Sequence, residues 1–324
     1  MNEKYYEEFD ILKGFGIIFV FLGHSFILKG IDLTEYSLWN KYIYDTIYSF
    51  HMPLFFFVAG FLSNKNYDIK KFYISKIKRL AIPYIFINII DCIVRKIFSN
   101  LVNTDKITIK EILLYGGKTT WFIYTLFWLF ILFPVIDKYI YQRKNTIYFI
   151  LFLMLINIFD FKLFNMKMFS LNKILYYLIY FSIGYLLKDY YLEIKEKVIN
   201  NKKILIIFII VFLFQRYFSF KIPLINLLIP VLGTIIFLIL SEMIKEKRIV
   251  NFFIFYGKNS LVFYLLEGFV LVIVRSTLIK IVPIEQNILF VSLYFILKIL
   301  IVSIIIKCFV NKSKILSFLL GSKI

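Results

Sequence analysis

The sequence lacks most of the signatures by which enzymes are usually recognised. Its two cysteines, Cys92 and Cys308, lie far apart in or at the edge of apolar segments, with neither CxxC nor metal-ligand spacing, so both read as inert thiols. No GxGxxG fingerprint and no GxxxxGK loop occurs, which leaves nucleotide-driven chemistry unsupported. No GxSxG elbow occurs either, so a serine acyl-enzyme is not indicated. Histidine is nearly absent. The only two, His24 and His51, have no Cys or carboxylate close by in sequence, so no metal site is expected. Acidic residues are scarce too, with 20 Asp and Glu against 39 Lys and Arg. The first apolar run is not followed by a small-residue cleavage site, and many more runs come after it, so it reads as a retained helix and not a signal peptide.

Apolar and aromatic residues are abundant. The chain is 61% hydrophobic and 20% aromatic, against roughly 45–50% apolar residues in a soluble domain, and its mean hydropathy is +0.81. Such a chain belongs in lipid. The net charge of +19 is spread over short segments between apolar runs, as orientation signals are, and not gathered in one patch for nucleic acid. Ten runs approach the length of about 20 residues that crosses a bilayer: 9–28, 43–63, 80–98, 120–137, 145–160, 171–187, 203–219, 223–241, 258–279 and 286–308. The expectation is an all-α, polytopic integral membrane protein with about ten transmembrane helices. It forms one domain over residues 1–324, lies in the cell membrane, and by the distribution of Lys and Arg has both termini cytoplasmic. The segment 99–119 has room for a small amphipathic or re-entrant helix.

Ionisable residues inside apolar runs are functional candidates, because lipid disfavours them. His24 closes the run "FDILKGFGIIFVFLGHSF", eleven residues after Lys13. That spacing is about three turns and about 16 Å, which puts both side chains near one helix face, Lys13 at one membrane surface and His24 toward the other. One extended substrate can meet both. His51, in "YSFHMPLFFFVAGFL", is expected at a similar depth, with Pro53 bending the helix just beyond it. A neutral imidazole can take a proton from an alcohol as its oxygen attacks a carbonyl, and that is acyl-transfer chemistry. His24 can equally carry the acyl group itself. Asp10 stands three residues before Lys13, as its partner or as an ordinary interfacial ion pair. Arg79 is a charge anchor or a phosphate ligand. Glu267, in the middle of a span, is a site residue orienting its neighbours or a structural partner for Arg95 or Arg275. Trp121 is an interfacial belt residue or a substrate contact.

Taken in order, "FDILKGFGIIFVFLGHSF", "FHMPLFFFVAGFL", "KIKRLAIPY", "WFIYTLFW" and "GKNSLVFYLLEG" resemble the membrane acyltransferase 3 family, and within it the fucose 4-O-acetylase-like branch, over roughly residues 8–308. The resemblance implies transfer of an acyl group, commonly acetyl from acetyl-CoA, to a hydroxyl of a cell-surface or lipid-linked glycan, with no tightly bound cofactor. It places the catalytic histidine on His24, a second polar site residue on His51, and the first-helix basic residue on Lys13, where many members have Arg. The basic residue before the third helix becomes Arg79, so that Lys13 and Arg79 would hold the donor's phosphates. Many relatives have His where this chain has Glu267. The rival from another class is a transporter or flippase for a lipid-linked or anionic glycan; broken helices in inverted repeats would mark it, and none is visible. No protein partner is indicated.

Overall fold

The computed structural model describes residues 5–28, 31–63, 68–97, 108–117, 119–140, 143–159, 168–199, 201–218, 222–282 and 287–322. Its first half holds α1 (Glu7–Gly23), a two-residue antiparallel pair β1 (Ile27–Leu28) and β2 (Ile31–Asp32), α2 (Leu38–Tyr48), α3 (His51–Phe61), α4 (Ile69–Lys76), α5 (Ile82–Ile97), α6 (Ile109–Tyr115) and α7 (Trp121–Ile140). The second half holds α8 (Arg143–Ile158), α9 (Leu171–Ile194), α10 (Lys202–Phe218), α11 (Pro223–Met243), α12 (Lys247–Lys258), α13 (Ser260–Leu278), α14 (Asn287–Ile305) and α15 (Lys314–Leu319).

The chain is thus all-α, but the expectation of about ten transmembrane helices is wrong. Among the described residues four helices are long and apolar enough to cross a membrane: Trp121–Lys138, Pro223–Met243, Ser260–Leu278 and Ile288–Val310. The inside and outside assignment that put both termini in the cytoplasm rested on the ten-span count and falls with it. Three of the missing spans have a cause in the local structure. The run 43–63 is two helices, because the backbone leaves helical geometry at Phe50 (φ −141°, ψ −20°) and restarts at His51. At about 1.5 Å per residue, the 11 residues of α2 and the 11 of α3 each reach only about 16 Å. Pro53 sits in the first turn of α3, where its missing N–H has no helical partner to lose, so the break precedes His51 and Pro53 does not bend a helix beyond it. The first helix, α1, is 17 residues long and opens with Glu7, Glu8 and Asp10, acids that complement the positive end of the helix dipole but shorten the apolar stretch. Although α9 runs for 24 residues, its last turns carry Lys188, Asp189 and Glu193. Within 99–119, α6 is closed by a capping box between Thr108 and Glu111 and by the left-handed Gly116 (φ 83°); residues 98–107 lie outside the described residues.

Two close helix pairs frame the interior, α1 along α12 and α3 along α9. Glycine permits both approaches. A Cβ on Gly257 would overlap the carbonyl of Asp10, and one on Gly14 that of Phe253; across α3 and α9, Gly60 faces the Phe181 carbonyl and Gly184 that of Phe57. A carbonyl in a packed helix cannot step aside as a side-chain tip can. Gly184→Ala is therefore expected to lower stability by at least about 1–3 kcal/mol. Gly268→Ala, with nothing within 4 Å of the added carbon, is expected to be neutral, and thermal unfolding of the detergent-purified proteins checks both. The Phe9 ring stacks on Phe61 at 3.8 Å between α1 and α3, and Tyr191 of α9 closes edge-on against Phe61 and tilted against Phe9. Nearby, the Tyr191 hydroxyl donates to Glu8 and, at 3.2 Å, to Glu242 of α11, while Lys195 pairs with both carboxylates. This polar knot ties α1, α9 and α11 at the end of α1 opposite His24.

Candidate active site

At its C-terminal end α1 runs out of backbone partners. The His24 amide bonds the Val20 carbonyl and the Ser25 amide turns back to Leu22 at 3.0 Å, which leaves the Phe21 carbonyl without an amide of its own. Two side chains satisfy it. Ser25 Oγ donates to it at 2.7 Å, and Lys298 Nζ, reaching across from α14, donates at 3.1 Å. A cation at a helix C-terminus also meets the negative end of the dipole.

Lys298 is fully buried and donates a second bond, at 3.1 Å, to Glu267 Oε1 on α13. The other oxygen, Oε2, lies 2.9 Å from His24 Nδ1. Only the last member of this chain of contacts is open: the His24 side chain is 39% exposed, against 3% for Glu267 and 0% for Lys298. An ionised carboxylate can only accept hydrogen bonds, and one held by a buried ammonium is ionised, so Nδ1 is the donor. A neutral imidazole in this contact is the Nδ1–H tautomer, with the Nε2 lone pair left to act.

Tyr48, at the end of α2, lies between this group and His51. Its ring edge comes within 2.8 Å of where a Cβ on Gly23 would stand, and its ring meets that of His51 edge-on at 4.8 Å. His51 is 3% exposed, and its Nδ1–H donates to the Ile47 carbonyl at 2.8 Å. Both His24 and Glu267 act on it electrostatically. The two histidines thus belong to one polar region.

The other sequence-derived residues are arranged as follows. Lys13 pairs with Asp10 at 2.6 Å, and Asp10 also accepts from the Tyr5 hydroxyl at 2.7 Å. Burial first, and then the Asp10 carboxylate, push the Tyr5 hydroxyl well above its ordinary range. Lys258, at the end of α12, stands 5.3 Å above the Tyr5 ring, and Arg79, exposed just before α5, also feels the charge of Asp10. Lys13, Arg79 and Lys258 therefore form one basic cluster at the start of α1, remote along the helix from His24. Trp121 is engaged elsewhere, stacking on Tyr177 at 5.7 Å with Lys173 Nζ 4.5 Å over its ring. Its end of α7 is fastened to α13 by Tyr264, which donates to the Thr119 carbonyl at 2.7 Å and accepts from the Phe122 amide.

Among the described residues the ion-pair partners of Glu267 are His24 and Lys298, not the Arg275 of its own helix; the other expected partner, Arg95, has its side chain outside what is described. Lys298 itself escaped notice as a site residue, although the rule that singles out Glu267, a charge inside an apolar run, applies to it equally. Among the described residues no three His, Cys, Asp or Glu side chains gather to hold a metal ion.

No curated protein and no solved structure matches the chain. The model of the acyltransferase domain family, Acyl_transf_3, matches residues 6–307, a stretch that includes the basic cluster, both histidines, Glu267 and Lys298. With several apolar helices, as a multi-pass membrane protein has, this chain belongs to the Acyl_transf_3 family of membrane acyltransferases.

Proposed function

We propose that the protein is an O-acetyltransferase of the fucose 4-O-acetylase-like branch, a single domain in the cell membrane that moves acetyl from acetyl-CoA to a hydroxyl of a cell-surface or lipid-linked glycan. The observation that carries this reading is the open His24 imidazole held through Nδ1 by a buried carboxylate. Nε2 of His24 takes the proton of the acceptor hydroxyl as that oxygen attacks the thioester carbonyl. When the tetrahedral intermediate collapses, the carbon–sulfur bond breaks and His24 returns the proton to the leaving CoA sulfur. Glu267 does not touch substrate in this scheme; it fixes the tautomer and supports the imidazolium that forms in transit. His51, buried and bonded to Ile47, lines the same region and shapes the space beside Tyr48.

The donor's phosphates are met at the opposite end of α1 by Lys13 and Arg79, with Asp10 holding the Lys13 ammonium in place. The pantetheine arm then lies along α1 toward His24. Lys13→Ala and Arg79→Ala are each expected to raise KM for acetyl-CoA by about tenfold, the worth of one charged hydrogen bond, with kcat changed far less. Initial-rate kinetics over a range of acetyl-CoA concentrations check this. Trp121, half-buried with Tyr177 stacked on it and Lys173 over its ring, is assigned to the acceptor as an aromatic contact for a sugar ring.

The reading is tested with the purified full-length protein, acetyl-CoA and a glycolipid extract from membranes of the source cells. Release of free CoA thiol that depends on the extract supports it. No release, with movement of labelled glycolipid across vesicles that contain the protein, replaces it with a transporter.

A further inference from the structure

The buried lysine has no task in the acyl-transfer scheme as it stands, yet it is the most deeply enclosed charge of the site. A carboxylate within hydrogen-bond distance of an imidazole draws a proton onto it, and an imidazolium cannot act as a base. For His24 to start the reaction neutral, the negative charge of Glu267 must be answered by something other than His24. Lys298 is placed to answer it: its ammonium holds Oε1 while His24 takes Oε2, so the two partners use different oxygens and do not compete.

We infer that Lys298 is a positioning residue whose charge balances Glu267, so that His24 rests as a neutral Nδ1–H base and not as an imidazolium. The inference rests on the proposed role of His24 and adds the reason that role is available near neutral pH. The remaining groups facing the site do not supply this charge. Tyr48 of α2, Tyr264 of α13 and Tyr294 of α14 each feel the charge of Glu267 as phenols, which are neutral near pH 7. His51 of α3 spends its Nδ1 on the Ile47 carbonyl. Arg275 of α13 acts on Tyr294, but the ion pairs of Glu267 are with His24 and Lys298. Lys298 is also fixed against drift, with its third side turned to the Tyr294 ring at 4.7 Å and the Phe21 carbonyl as its second anchor.

The chain's two histidines make the test direct. Full-length protein labelled with nitrogen-15 in histidine gives one set of imidazole signals for His24 and one for His51, assigned with His51→Gln. In wild-type protein near pH 7.5 the His24 signals are expected to show a neutral ring with the proton on Nδ1. In Lys298→Met they are expected to show an imidazolium at the same pH, with the titration midpoint raised by about one pH unit or more. Glu267→Gln removes the opposite charge and is expected to move the midpoint the other way. The double variant Glu267→Gln with Lys298→Met restores a neutral ring, since the glutamine amide oxygen can still accept from Nδ1. If Lys298→Met does not accumulate, Glu267→Gln and the double variant carry the comparison, because both leave the ring neutral and only the first lowers the midpoint. A folded Lys298→Met protein whose His24 titrates as in wild type overturns the inference, as does a double variant that titrates like Glu267→Gln alone. Neither result touches the acyl-transfer reading, which is judged separately by the activity of His24→Ala.

Discussion

His24→Ala is expected to lower kcat/KM for acetyl transfer by about 10²–10⁴-fold, the range over which a positioned general base contributes, while leaving abundance and thermal stability close to wild type. Both halves of this expectation follow from burial. The side chain is 39% exposed and stands at the end of α1, so its removal opens no cavity in the core. Nor does it strand its partner, because Glu267 keeps the ammonium of Lys298. A variant that is dead and also unstable would mean that His24 is part of the scaffold. Kinetics of acetyl-CoA turnover and a detergent thermal melt on the same preparation separate the two cases.

Glu267→Ala is expected to behave differently, losing about 3–5 kcal/mol of stability along with activity. It leaves Lys298, with no exposed side-chain surface, holding only the Phe21 carbonyl, and breaking a buried ion pair from one side costs that much. Adding Lys298→Met to Glu267→Ala removes the stranded charge and is expected to recover a large part of the stability but none of the activity, because Nδ1 of His24 still lacks its acceptor. Membrane abundance of the two variants, followed by thermal melts of what can be purified, reads the difference.

The polar members of this site stood out in the sequence for a simple reason: an ionisable group in an apolar run has to be answered by a partner. Hydropathy picks out His24 and Glu267 one at a time. It does not show that they meet, because they are 243 residues apart and only the packing of α13 beside the end of α1 joins them. The same gap explains why Glu267 invited pairing with Arg275 on its own helix when its partner, Lys298, was on the next one. The Asp10–Lys13 pair was legible because it is local, three residues apart on one helix face.

The span count failed for a related reason. A hydropathy window measures composition and is blind to whether one helix or two carries it. Residues 43–63 read as one mostly apolar run, yet the turn at Phe50 starts a new helix that delivers His51 at its first residue, beside Tyr48. The break that spoiled the count is what brings the second histidine to the site. The glycines tell a similar story. Gly14, next to Lys13, leaves room for α12, whose own Gly257 lies against Asp10 and whose last residue, Lys258, completes the basic cluster.

The central claim, that His24 drives acyl transfer to a glycan hydroxyl, is tested most directly by mass spectrometry of the surface glycans and glycolipids of cells carrying the intact gene and cells carrying His24→Ala at equal membrane abundance. Acyl transfer predicts that one sugar gains the mass of an acetyl group in the first strain and not in the second. The same added mass, undiminished in the His24→Ala strain, would contradict it.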